Sequence, residues 1–428
     1  MSLARSNFAS RAALLTAIRL PNNAFDEVGT EVIADILVLQ KGAVNQHNFQ
    51  YLVPIESCDG TGLLRVNEYF AKYKEQILGE PSNTGKMYGK TGTATILPFE
   101  NIAIAVTDGD KVEAEMRFGY HVDYVQFSEV MTYFEKIEDK DVDALVEVYF
   151  NEYDHAPELE DKTTVAYKKV WNSAKAELTL RAVLEAYGAK AFTTNFDDLG
   201  DVNVEETGKG FDQIPGLASQ RLMADGYGFG GEGDWKTAAL VRTAWYMGQG
   251  LPKGSSFLED YTIHFDGANS ALLQAHMLEI SPAIAAEKPK LEVHHLGIGV
   301  RKTPTARLVF TSKTGDGVAV TVVDMGNRFR LIVNEVKCIE SKPLPKLPVA
   351  SALWIPKPSF EVGAAAWMLA GGTHHTSFSY DLTAEYWEDY AELADVEMLL
   401  INDDTTLSDF KKEMRVNEVY YMLNKALK

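Results

Sequence analysis

The change from alternating helix and strand patterns to β-rich runs, near residue 290, constrains the fold more than any other feature of this chain. Between about 101 and 250, "NIAIAVT" reads as a strand and "DVDALVEVYFNEY" as a helix. Residues 162–187 read as a long helix with Val165, Val170, Ala174 and Leu178 on one face, stopped by Gly188. "AKAFTTNF" then reads as a strand and "PGLASQRLMADG" as a helix. Such alternation implies a sheet covered by helices. Beyond about 290, "ARLVFTS", "GVAVTVVDMG" and "RFRLIVNEVKCIE" are strand runs split by "KTGDG" and "DMGN", as in a meander of antiparallel hairpins. The charged run "EKIEDKDVD" reads as a solvated helix face.

The first hundred residues have a third texture. A short helical pattern covers Phe8 to Ile18, a strand-like run covers Ile33 to Gln40, and "LGEPSNTGKMYGKTGTATILPF" reads as a boundary. A chain of 428 residues exceeds what one core organises. Three domains are therefore expected, over residues 1–100, 101–252 and 253–428.

Charge narrows the classes of partner. With 61 acidic and 41 basic side chains the net charge is −20, which argues against nucleic acid and favours small neutral or metal-bound ligands. Two cysteines, Cys58 and Cys338, cannot build a disulfide framework, so a reducing cytoplasm is expected. Arg5, Arg11 and Arg19 surround the only apolar run near the N-terminus, which lacks a signal-peptide core. No segment approaches the roughly 20 apolar residues of a membrane span.

The chemistry is best sought in "GYGFGGEGDWKTAAL", where Glu232 stands among glycines ahead of a helical pattern. Asp234 is the better-placed N-cap, which leaves Glu232 for another task. The glycines do not follow the dinucleotide fingerprint, and the Gly79–Met87 and Gly85–Thr91 stretches fail the spacing of a phosphate loop. Among nine histidines, four come as the pairs His294-His295 and His374-His375, the second in "LAGGTHHTSFS". Packed structural histidines are the plain alternative. Glu259 adjoins Asp260 and Tyr261 in "SFLEDYTIHF", and His276 lies in "LLQAHMLEISP". Two carboxylates and two imidazoles together suit a divalent cation such as Mn²⁺.

From about Asn101 to the C-terminus the chain resembles the L-arabinose isomerase family. The resemblance is carried in order by "TDGDKVEAEMRFGY", "AFTTNFDDLG", "IPGLASQRLMADGYGFGGEGDWKTAALVR", "FLEDYTIHF", "HMLEISP", "HHLGIG", "LPKLPVASALW", "LAGGTHHTSFS" and "RVNEVYY". It implies an α/β fold, with a central domain of the L-fucose/L-arabinose isomerase type and a β-rich C-terminal domain. It implies Mn²⁺ held by Glu232, Glu259, His276 and His375, with Co²⁺ or Mg²⁺ as substitutes. His374, Phe196 and Tyr261 match residues lining the sugar pocket, or pack in the core. The implied reaction converts L-arabinose to L-ribulose, the cation stabilising the enediolate oxygens. Glu232 and Glu259 carry the protons, in roles left open between them. The implied partner set is a small aldose and further copies of the chain, with no membrane.

Residues 1–100 do not resemble the N-terminal domain of that family. They resemble a fragment of phage and mobile-element DNA methyltransferase-helicase proteins, through Arg19-Leu20-Pro21-Asn22-Asn23-Ala24-Phe25 and Gly29-Thr30-Glu31-Val32 with Asp35-Ile36. No glycine-rich cofactor loop or Asn-Pro-Pro-Tyr tetrapeptide accompanies them. "DVNVEETGKGFDQ", between Gly200 and Ile214, reads as a surface loop. Two readings follow: an isomerase whose pocket lacks one wall, or a non-catalytic fusion or misjoined protein.

Overall fold

The computed structural model describes residues 12–19, 35–41, 52–56, 63–74, 77, 80–82, 95–97, 109–194, 210–266, 269–296, 303–342 and 344–426. Its contacts divide the chain into two compact units, Met1–Val106 with Ile298–Val300, and Thr107–Gly297 with Arg301–Lys428. The strand expected at "NIAIAVT", Phe196, most of the loop expected at 201–213 and most of the methyltransferase-like motif lie outside the described residues.

In the first unit, β1 (Ala12–Arg19) pairs antiparallel with β2 (Asp35–Lys41), and β3 (Leu52–Glu56) with β4 (Leu63–Asn67), which runs into α1 (Glu68–Lys72). A third pair joins β5 (Glu80–Ser82) to β6 (Thr95–Leu97). The helix expected over Phe8–Ile18 is thus corrected to a strand over its described part. The apolar run "AALLTAI" has no clear period, and ladder pairing with "DILVLQK" decides its conformation.

The second unit opens with helices. These are α2 (Lys111–Phe118), α3 (Phe127–Phe134), α4 (Asp139–Glu152), the two-residue strand β7 (Asp154–His155) and the long α5 (Val165–Tyr187). Helix α5 ends as expected, at Gly188 in the left-handed conformation. Val170 and Ala174 are fully buried, but Val165 in the first turn is open to solvent. "EKIEDKDVD" spans the turn between α3 and α4 together with the first turn of α4, not one helix face. Next, β8 (Ala191–Thr194) and β9 (Gly228–Gly231) pair in parallel, with α6 (Gly216–Ala224) between them in sequence and α7 (Trp235–Met247) after them.

The remaining strands are β10 (Ser255–Asp266), β11 (Asn269–Ala275), β12 (Lys290–His295), β13 (Pro304–Val309), β14 (Gly315–Asp324), β15 (Phe329–Cys338), β16 (Ser351–Pro356), β17 (His375–Ser379) and β18 (Glu397–Ile401). The ladder runs β14-β17-β10-β11-β16-β15 and returns from β15 to β14, every step antiparallel, so six strands close into a ring. Antiparallel closure needs an even number of strands, and it removes the sheet edges. Leu258, Leu272, Ala319, Val336, Trp354 and Phe378, one from each strand, meet in one apolar cluster.

The expected β14–β15 hairpin is present across "DMGN". The one expected across "KTGDG" is not, because β13 pairs with β12 in a separate three-stranded sheet with β7. Helices α8 (Phe360–Ala370), α9 (Ala384–Ala394) and α10 (Leu407–Ala426) complete the unit, with β18 lying parallel to β15. No helix among the described residues is long and apolar enough to cross a membrane.

Candidate active site

The site forms where the outer face of β10 and β17 meets the β9–α7 turn. Residues alternate across a strand, so Phe378 enters the barrel cluster while His375 faces outward. Antiparallel register sets His375 directly opposite Glu259. Phe257, two residues before Glu259, stands edge-on to the rings of His375 at 5.0 Å, His276 at 5.1 Å and Phe229 of β9 at 5.4 Å. One fully buried aromatic therefore wedges both imidazoles, whose centroids lie 5.8 Å apart.

The glycines around Glu232 serve packing. A Cβ on Gly228 would lie 2.0 Å from the carbonyl oxygen of Ala238, and one on Gly230 2.1 Å from that of Asp234, so β9 and α7 touch backbone to backbone. A Cβ on Gly231 would meet His276 Nε2 at 2.8 Å. Glu232 itself has φ of 59°, left-handed backbone that costs a non-glycine residue about 1 kcal/mol or more.

Two buried carboxylates orient the two buried histidines. Asp234 caps α7 as expected, accepting from the Thr237 backbone N–H, and its Oδ2 also lies 3.1 Å from His375 Nδ1. Burial is the largest influence on Asp234 and opposes its charge, yet the His375 hydrogen bond and Lys236 hold it at about 2. Ionised Asp234 can only accept, so Nδ1 of His375 carries the proton. Burial foremost, and then the charge of His374, lower the His375 pKa and keep the ring neutral. Its Nε2 then presents a lone pair, 3.9 Å from Glu232 Oε2 and without a hydrogen-bond partner among the described residues.

His276, just beyond β11, meets Glu279 Oε2 through Nδ1 at 2.5 Å. Burial is the largest influence and disfavours its charge, but Glu279 first, with Glu259 and Glu232, raises it to about 9. Glu232 lies below its ordinary value although burial, the largest influence, works the other way; the neighbouring His374 ring first, and then the charges of His375 and His276, prevail.

Of the expected residues, Phe196 lies outside the described ones, and the others are placed as follows. Glu232, His374 and His375 gather with ligand atoms within 4.8 Å of one another. The His276 ring adjoins His375, and Glu259 is its register partner. Half-exposed His374 has Nε2 3.8 Å from Glu232 Oε2. Tyr261 is solvent-exposed at a β-bulge between Asp260 and Thr262. Sequence reasoning missed Glu279 and Phe257. An acid three residues after His276 was the available clue to the first.

Fold and site together define a two-part α/β and β-barrel protein with acids and oriented imidazoles gathered at the junction of its layers. Residues 100–250 match the model of the L-arabinose isomerase central domain, and residues 254–397 that of the L-arabinose isomerase C-terminal domain. The chain belongs to the L-arabinose isomerase family through these two domains. It is 74% identical over 324 residues to the L-arabinose isomerases of Phocaeicola vulgatus and Bacteroides thetaiotaomicron, a match covering 76% of this chain and 63% of each relative. With the L-arabinose isomerase of Tolumonas auensis the identity is 48% over 324 residues, 75% of this chain and 62% of that one. The chain therefore spans somewhat less than two thirds of the length of the curated relatives it matches.

Proposed function

We propose that the chain is a metal-dependent aldose–ketose isomerase that interconverts L-arabinose and L-ribulose. The carrying observation is the buried Nε2 of His375, fixed through Nδ1 by ionised Asp234 and separated from Glu232 by 3.9 Å. An imidazole steered by a carboxylate on its other nitrogen is the usual arrangement of a metal-bound histidine. The mixed oxygen and nitrogen donors fit Mn²⁺, with Co²⁺ or Mg²⁺ as substitutes.

Glu232, Glu259, His276 and His375 would hold the cation, which when bound supplies Lewis-acid charge beside the reacting sugar oxygens. The side chains do the rest. Glu232 and Glu259 divide removal of the C2 proton and its return to C1 from proton traffic at the hydroxyls. Asp234 and Glu279 fix the imidazoles. The half-exposed His374 is placed to meet the sugar, with Tyr261 at the exposed rim; Phe196 is proposed on resemblance alone. Burial around His276 and His375 keeps water from competing.

The test is metal analysis of the purified chain together with ketose formation from L-arabinose, repeated for Glu232→Gln and Glu259→Gln. Loss of turnover with cation retained supports proton transfer by that glutamate. Unchanged turnover in either variant removes it from the mechanism, and a chain that binds Mn²⁺ yet forms no ketose overturns the reading.

A further inference from the structure

The pair His374-His375 enters the site from a short loop that is tied down along its length. Gly371 closes α8 in the left-handed conformation, and the Gly372 backbone N–H donates to the Trp367 carbonyl at 2.8 Å. A Cβ on Gly372 would lie 2.3 Å from Trp367 Nε1, which itself donates to the Thr373 carbonyl at 3.0 Å. The His374 carbonyl then accepts from the Asp260 backbone N–H of β10 at 2.8 Å.

On the other flank of β17 the backbone ladder ends early. β14 pairs with β17 through Val318 with Ser379, Ala319 with Phe378 and Val320 with Ser377, and stops short of His375. Successive carbonyls along a strand point to opposite neighbours, and that of His374 is taken by β10, so the His375 carbonyl faces β14 beyond the last rung. Two hydroxyls bridge the distance. Thr373 Oγ1 donates to the His375 carbonyl at 2.8 Å and lies 2.6 Å from Thr321 Oγ1 of β14. A threonine has one hydroxyl proton, and that of Thr373 is given to the carbonyl, so Thr321 donates to Thr373. Thr321 is fully buried, where a hydroxyl is costly unless it is bonded.

The two histidines depend on this relay unequally. His375 is also held by Asp234 at Nδ1, by the edge-on ring of Phe257 and by its register with Glu259. The half-exposed His374 ring has Glu232 Oε2 at 3.8 Å and the His375 ring at 4.1 Å, so its aim follows the backbone on which it stands. We propose that Thr321 and Thr373 are positioning residues, a hydroxyl relay that sets the backbone at His374-His375 and so fixes the His374 imidazole towards the sugar. The sugar rests on the isomerase reading; the relay rests on geometry alone.

The test compares Thr321→Val and Thr373→Val, which keep the shape and lose the hydroxyl, with Thr321→Ser and Thr373→Ser, which keep the hydroxyl. Thr373 is only half-buried, so its variants keep the test open should Thr321→Val fail to fold. The valine variants are expected to raise KM for L-arabinose about 3- to 10-fold, with kcat and Mn²⁺ affinity within about twofold of the wild type, and the serine variants to restore KM. A second readout needs neither sugar nor metal. Modification of His374 by diethyl pyrocarbonate, followed by mass spectrometry of its peptide, should quicken about threefold or more in the valine variants, while the exposed His121 reacts at the wild-type rate. A loss of Mn²⁺ affinity as large as the rise in KM, serine variants that behave like the valine ones, or an unchanged rate at His374 would each overturn the proposal. A wild-type chain that forms no ketose defeats the isomerase reading instead, and the modification rates then decide on the relay by themselves.

Discussion

Asp234 Oδ2 lies 3.1 Å from Nδ1 of His375, while the other oxygen of the same carboxylate caps helix α7 at Thr237. Oδ2 also accepts from the Thr237 hydroxyl at 2.7 Å, so what belongs to His375 alone is the charge of the carboxylate. Asn caps a helix as well as Asp does, but it is neutral and cannot hold the imidazole by charge. Asp234→Asn is therefore expected to change stability by less than about 1 kcal/mol while weakening Mn²⁺ binding about 10- to 100-fold. Calorimetric titration with Mn²⁺ alongside a thermal melt checks both. Unaltered Mn²⁺ affinity would remove Asp234 from the site.

The glycines of β9 give a graded series. Gly228→Ala places a methyl group against the Ala238 carbonyl, backbone that cannot step aside. Overpacking of this kind costs about 1–3 kcal/mol or more, so a lowered melting temperature is expected. Gly231→Ala instead presses on the His276 ring, a side chain rather than backbone. Its expected signature is weakened metal binding with a smaller stability loss. A Gly231→Ala protein with native Mn²⁺ affinity would contradict the close approach.

Helix α5, the β14–β15 hairpin and the Asp234 cap were legible in the sequence because each is set by neighbours a few residues away. The nearness of Glu232, His374 and His375 was not legible in local pattern, and the family resemblance only implied a ligand set in this region. It depends on the register of Glu259 against His375 and on Phe257 between two rings, and both follow from long-range closure of the barrel. The same gap explains the misread β1, whose conformation is fixed by a partner strand, and the unassigned hairpin of β13, which joins another sheet. Glu279 is a local neighbour of His276, yet only the fold turns its carboxylate onto Nδ1.

Cys338 is expected to be inert in the native protein. Burial, its dominant influence, pushes the thiol up to about 12, so at pH 8 the thiolate is on the order of one part in 10⁴. The thiol belongs to the apolar cluster shared by the barrel and helices α4 and α5. In a Cys58→Ser background, iodoacetamide should label Cys338 only as the protein unfolds in denaturant. Rapid labelling of the folded protein at pH 8 would show that this cluster opens far more readily than its packing allows.

Glu232 offers the sharpest separation of stability from function. Its φ of 59° is unfavourable for any residue with a Cβ, and its carboxylate is largely buried. Glycine accepts that backbone without strain but restores some entropy to the unfolded chain, so the two effects partly cancel. Glu232→Gly is expected to leave the melting temperature unchanged or to raise it by the equivalent of up to about 1 kcal/mol. Turnover of L-arabinose should disappear and Mn²⁺ affinity should fall, because the oxygen nearest His375 Nε2 is gone. Glu232→Ala keeps the strained backbone and loses the same oxygen, so it should be less stable than the glycine variant and equally inactive. If the two variants melt together, the left-handed turn carries no strain, and the carboxylate alone accounts for placing a glutamate at this position.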